Sequence, residues 1–287
     1  LPGFISMRPG NMPDARNMTN AFLPGAFQGT YVDPTNTKIE DIIKNIKSEF
    51  ASVRDQREQL DLLLKLNNVH KGKRQDGDDL EARIKSFELA YRMQTDAREA
   101  FDVSLEKPET ITKYGDNPQG RQMLIARRLL ERDVRFVQVW QGGWDLHNGI
   151  AQRAKRNADQ LDPAIGAIVD DLKERGLFED TLIYITSEFG RSVTEDGGGG
   201  RSHNARALST VLLGGGIKGG IAYGETDELG GAAVKDKAHV KDIHATVLDL
   251  LGFDHEQLTF NTAGRDFRLT QATNSLPQGG TPIKGIM

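Results

Sequence analysis

Residues 136–149 read FVQVWQGGWDLHNG. After a long amphipathic segment the chain reaches DTLIYITSEFGR at 180–191, a glycine tract, and GRSHN at 200–204. Two apolar runs rich in β-formers each stop at metal-type side chains. Asp145 and His147 follow the first, Glu188 follows the second, and His203 lies beyond the glycines. Ligands of open parallel α/β sheets bind outside the carboxyl ends of the strands. Two strands that end this way therefore predict one shared site.

Working outward, 134–140 and 181–187 read as strands joined by a helix over 157–175, with Ile165, Ile168, Val169 and Leu172 on one stripe and Gly176 as its C-cap. This is a β-α-β unit, whose crossover is expected to be right-handed. A third strand is predicted at 207–213, a helix at 240–252, and a short hairpin or loop up to about 270. Residues 271–287 read as a loose tail.

Upstream, 1–36 are rich in Pro, Gly and Asn and read as irregular, apart from a short strand at 4–7. Residues 37–102 change to helical texture. Ile39, Ile42, Ile43, Ile46 and Phe50 are followed by Leu60, Leu63, Leu64 and Val69, a polar turn at 71–78, then Leu80, Ile84, Phe87 and Tyr91. The pattern predicts an antiparallel helical hairpin inserted beside the sheet. Its charge runs read as solvated faces with i,i+4 pairs, and His70 as a surface residue at the turn. A connector at 108–115 and a helix at 120–131 lead into the first strand. The expected fold class is α/β, with a mainly parallel sheet flanked by helices in one domain over 1–270.

A chain of 287 residues with a formal charge of −4 has no basic footprint for nucleic acid. It has no cysteine, which removes disulfides, zinc–thiolate sites and thiol catalysis. No apolar run approaches the roughly 20 residues needed to cross a bilayer. The opening LPGFISMRPG has neither an initiator methionine nor the charged and apolar regions of a signal peptide. Either the start has been processed away or the chain is a fragment.

The chemistry rests on a few side chains. Asp145 and His147 are two apart, so an extended backbone places both on one side. A carboxylate and an imidazole together suit zinc or manganese, with calcium as an alternative. The structural reading is a helix-capping Asp and an exposed His. Glu188 is an acid at the end of an apolar strand, either a ligand or one half of a Glu188–Arg191 pair. His203 follows four glycines, which suit a loop folding over a charged centre or a surface loop. Arg191 and Arg201 offer bidentate donors to an anion. On the last helix His244, beside Asp242, is expected to face the site and support the ligands from behind; His239 and His255 read as surface residues. The GGGIKG run at 214–219 matches a dinucleotide fingerprint formally, but the turn-like IAYGETDELG that follows opens no helix, so no such site is expected.

The ordered motifs GGWDLH, SEFGR, GGGGRSHN, GGGIKGG, DIHATVLDLLG and GRDFRLT resemble those of the "domain of unknown function 1501" proteins, members of the alkaline phosphatase and sulfatase-like superfamily. The resemblance implies a mainly parallel sheet between helices and a centre holding one or two divalent metals. Its implied activity is hydrolysis of a sulfate or phosphate ester, on a small anionic ester or a sulfated or phosphorylated glycan. Asp145, His147 and His203 then resemble the ligands of the first metal. Glu188 stands where many relatives carry an acid, while Phe189 replaces the histidine beside it and cannot bind a second metal. Ser202 replaces the usual aspartate of GlyArgAspHis. The resemblance further implies that the chain is the C-terminal part of a longer protein, with a nucleophile upstream of Leu1 and export to the periplasm or cell surface. The competing expectation is a catalytically silent binding or cell-surface protein that keeps the fold.

Overall fold

The computed structural model describes residues 1–8, 19, 20, 23, 27–36, 38–42, 50–71, 84, 88, 91, 98–271 and 279–287, in a mixed α/β architecture. They form two compact units, one of residues 1–142 and 158–168, the other of 143–157 and 169–287.

The first unit is built on a parallel sheet. β1 (Phe4–Met7) lies between β2 (Thr30–Val32) and β3 (Phe136–Val139), with Ile5 opposite both Thr30 and Val137. Ile5, Ser6 and Met7 are fully buried, so both faces of the central strand are covered. The one polar residue among them, Ser6, is satisfied: its hydroxyl donates to Gln138 Oε1 at 2.9 Å and accepts from Trp140 Nε1 at 3.1 Å.

Helix α1 (Ile39–Ile42) and the longer α2 (Val53–Lys71) fall in the region of helical texture. Arg57 of α2 pairs with Glu88 at 2.7 Å and lies over the Tyr91 ring, while Leu60, Leu64 and Asn67 share a small cavity with Ile84. Residues rising along α2 thus meet residues falling along the second arm, an antiparallel arrangement. Ile43, Ile46, Leu80, Phe87, the 72–78 part of the turn and the side chain of His70 lie outside the described residues.

After α3 (Arg98–Phe101), the expected connector at 108–115 is instead a helix, α4 (Pro108–Tyr114). Pro108 occupies its first turn after an extended Lys107, and Glu109 complements the helix dipole. Next, α5 (Pro118–Leu130) starts the same way, with Asn117 Oδ1 accepting from Gln119 N at 2.9 Å and Gly120 N at 3.0 Å. A Cβ at Gly120 would lie 2.0 Å from Gly115 O, so only glycine fits there. Leu124, Ile125 and Leu129 form the buried stripe of α5. Two arginines are buried with it: Arg127 pairs with Glu106 and Glu131, each at 2.8 Å, and Arg128 bonds Glu106 and the carbonyls of Glu99 and Ala100.

Helix α6 (Ile150–Glu174) starts at Ile150 rather than at residue 157, and ends as expected at Gly176, with φ +68°. The strand after it does not continue a parallel ladder. β4 (Ile183–Ile185) pairs antiparallel with β7 (Val211–Leu213), and β3 bonds β1, so among the described residues no parallel bonding joins the two strands of the expected β-α-β unit. Residues 186–210 hold no helix, only β5 (Gly190–Glu195) and β6 (Arg201–Asn204). A parallel return needs a long crossover, whereas an antiparallel one does not. Gly214 and Gly215 extend the pairing alongside Thr181 and Leu182, where a Cβ would lie 2.4 to 2.8 Å from that backbone.

Beyond β8 (Glu225–Thr226) and β9 (Ala233–Lys235), α7 (Val240–Leu250) packs Ile243 and Val247 against Tyr184, Leu212, Ile217, Ile283 and Ile286. The expected loose tail is therefore partly docked. Ile283 N donates to Thr246 Oγ1 at 2.9 Å, Thr281 N to Asp242 Oδ1 at 2.8 Å, and Lys218 N to Ile286 O at 2.9 Å. The closing hairpin is present, as β10 (Phe260–Thr262) against β11 (Arg265–Phe267).

Candidate metal centre

The centre is assembled within the second unit by two segments that pair through their backbones. Gly149 N donates to Gly198 O at 2.9 Å, Ile150 N to Gly199 O at 3.1 Å, and Arg201 N to Leu146 O at 3.0 Å. The glycine tract is thus a docked edge. A Cβ at Gly200 would lie 1.9 Å from the His147 carbonyl carbon, and Gly197, Gly198 and Gly199 all have positive φ. At the other end of the loop, Asn157 of α6 donates from Nδ2 to Gly143 O at 2.7 Å.

These constraints bring three side chains together. Asp145 Oδ1 lies 3.0 Å from His147 Nε2 and 3.1 Å from His203 Nε2, and the two imidazole nitrogens are 3.1 Å apart. His147 Nδ1 is 2.6 Å from Asp196 Oδ2, which also accepts from Ser202 Oγ at 3.2 Å. With Nδ1–H given to that carboxylate, Nε2 presents its lone pair to the other two atoms. The ring of His203 stacks on Phe189, centroids 4.1 Å apart and planes at 30°.

Three lone-pair-bearing atoms at such separations need positive charge among them. Protons on the imidazoles can supply it, and so can a bound cation. The spacing admits both: 3.0–3.1 Å is hydrogen-bond range, while cis ligands of a six-coordinate ion with bonds of about 2.1 Å are about 3.0 Å apart, and those of a tetrahedral zinc about 3.3–3.6 Å. The two-imidazole, one-carboxylate donor set suits a borderline divalent cation. Hydrogen bonds from Arg191 and His203 lower the Asp145 carboxyl to about 2, so it is an anion at neutral pH. The hydrogen bond to Asp196 raises the pKa of His147, and the same contact lowers that of Asp196.

The remaining expected site residues are placed differently. Glu188 is exposed and is not among the residues whose ligand atoms converge. Arg191 Nη2 lies 2.8 Å from Asp145 Oδ1, and Arg201 Nη1 donates to Gly200 O at 2.7 Å. His244 is exposed on α7, and Asp242 closes a capping box with His239 at the start of that helix. His255, expected at the surface, is buried and 2.8 Å from Thr270 Oγ1. Asp196 went unnoticed in the sequence. Its only signal was an acid placed directly before a glycine tract.

No described helix is long and apolar enough to cross a membrane. No curated protein and no solved structure matches this chain. Residues 1–278 match the family described as "Protein of unknown function (DUF1501)". The chain therefore belongs to the DUF1501 family.

Proposed function

We propose that this chain carries the metal centre of a sulfatase-like hydrolase acting on a sulfate or phosphate ester. The observation behind this reading is the triangle of Asp145, His147 and His203, with Asp196 behind His147. Asp145 contributes charge, and the two imidazoles contribute neutral nitrogens. Asp196 fixes the ring of His147, as carboxylates behind metal-bound histidines commonly do. Phe189 covers one face of His203. A divalent cation held there, zinc or manganese by donor type, would supply Lewis-acid polarisation of the ester and a more acidic bound water. Arg191 places a guanidinium beside the centre, where the oxygens of a tetrahedral anion match its donors. The alkaline phosphatase and sulfatase-like fold, a small anionic ester or a sulfated or phosphorylated glycan as substrate, and export to the periplasm or cell surface belong to the same proposal.

Metal content of the purified protein, with and without Asp145→Ala, tests the centre. One bound zinc or manganese lost in the variant is expected, and unchanged stoichiometry sinks the assignment. Turnover of 4-nitrophenyl sulfate and 4-nitrophenyl phosphate tests the reaction. Three protein ligands leave a coordination position open for water or substrate, and the second reading is a catalytically silent binding protein that keeps the fold and the metal. That reading requires metal to be retained with neither ester consumed.

A further inference from the structure

The oxygen at the heart of the triangle already has a positively charged partner. Asp145 Oδ1 contacts both imidazoles, and it is also the atom 2.8 Å from Arg191 Nη2. A carboxylate oxygen has two lone pairs, and donors from Arg191 and His203 occupy both. A divalent cation would have to bond that same oxygen, and at such range it repels a guanidinium. Arg191 is nevertheless tethered independently of Asp145. Its Nη1 donates to Arg201 O at 3.3 Å, it stands opposite His203 in the β5–β6 ladder, and its guanidinium lies 5.5 Å from the Phe189 ring centre. Losing the bond to Asp145 would leave it at the edge of the centre.

We propose that Arg191 is the resident counter-ion of Asp145 Oδ1, and that loading a divalent cation displaces it toward the oxygens of a tetrahedral anion, so that cation and anion bind with positive coupling. This inference rests on the metal-centre reading and adds an order of events: the unloaded centre is neutralised from within, and the loaded one releases a planar donor suited to sulfate or phosphate. Coupling of this kind is reciprocal, so it can be measured from the cation side alone.

The test is calorimetric titration of the metal-free chain with manganese(II) chloride, with and without inorganic sulfate, for the wild type, Arg191→Ala and Arg191→Gln. Gln keeps a hydrogen-bond donor for Asp145 and removes only the charge, which guards against misfolding of the Ala variant. In the wild type, sulfate should tighten manganese binding by about 5–150-fold, the usual range of coupling between sites. Both variants should bind manganese without sulfate at least as tightly as the wild type, and sulfate should shift their affinity less than about twofold, near the limit of no coupling. Weaker manganese binding in Arg191→Gln would make Arg191 a support of the centre and overturn the proposal. Full coupling in that variant would overturn it too, leaving the metal centre standing. A wild type that binds neither manganese nor zinc would remove the centre and this inference together.

Discussion

Asp196 shows how a residue without a recognisable pattern can govern one that has it. Its carboxylate holds His147 Nδ1 at 2.6 Å, so it selects the tautomer whose Nε2 faces Asp145 and His203. Asp196→Ala should weaken zinc or manganese binding about 10–100-fold, the usual cost of removing such a carboxylate, and Asp196→Asn, which can still accept from Nδ1–H, should fall between; calorimetry would read both. An Asp196→Ala affinity equal to that of the wild type would reduce the contact to packing. Gly200 makes a second case. Any side chain there collides with the carbonyl of His147, so Gly200→Ala should cost about 1–3 kcal/mol by overpacking and abolish cation binding, as followed by urea melts and titration. Part of this site was legible in the sequence. Asp145 and His147 carry ligand chemistry at a spacing an extended backbone can use, and His203 follows the glycines that its docking needs. Glu188 stands apart because the strand period ends at Ile185 and local bonds of Thr186 and Ser187 redirect the backbone. Asp196 was hidden because its alignment with His147 depends on an irregular β5–β6 register.

At the scale of elements, the long periodic helices were legible and the short or irregular pieces were not. Helix α4 escaped because seven residues give too few turns for a period, although Pro108 and Glu109 mark its start. The antiparallel pairing of β4 with β7 escaped because strands of three residues carry no directional signal. Buried charge was equally silent, since Arg127 and Arg128 look like surface residues until α5 is packed. Their partner is Glu106. Burial pushes its carboxyl up, and hydrogen bonds and charge from Arg127 and Arg128 more than reverse this, leaving its pKa below the ordinary value. A depressed acid contributes stability that is present above its unfolded pKa and lost as pH falls through the folded one. Glu106→Ala should therefore destabilise by about 3–5 kcal/mol near neutral pH, as when a buried pair is broken. The gap in melting temperature from the wild type should shrink below the ordinary carboxylate range. A gap independent of pH would assign the loss to packing.

At the scale of the whole molecule, the α/β class and the short strand at 4–7 were readable from pattern, while β2, within a stretch that reads as irregular, and the docking of the last residues were not. Residues 279–287 are short and lack periodicity, yet Ile283 and Ile286 close the apolar cluster beneath α7. Ile286→Ala should cost about 2–4 kcal/mol in a denaturant melt, as for a buried large-to-small change, and a loss under about 0.5 kcal/mol, typical of surface positions, would show that end to be dispensable. The triangle has a mechanical consequence as well. Asp145 and His203 are 58 positions apart along the chain, and His147 and His203 are 56 apart. An ion gripping all three would act as a clasp closing that loop, worth about 3–4 kcal/mol in chain entropy for a span of this length. Chelation should accordingly speed amide deuteration across β5, β6 and the glycine edge, and leave the β1–β2 ladder of the first unit unchanged.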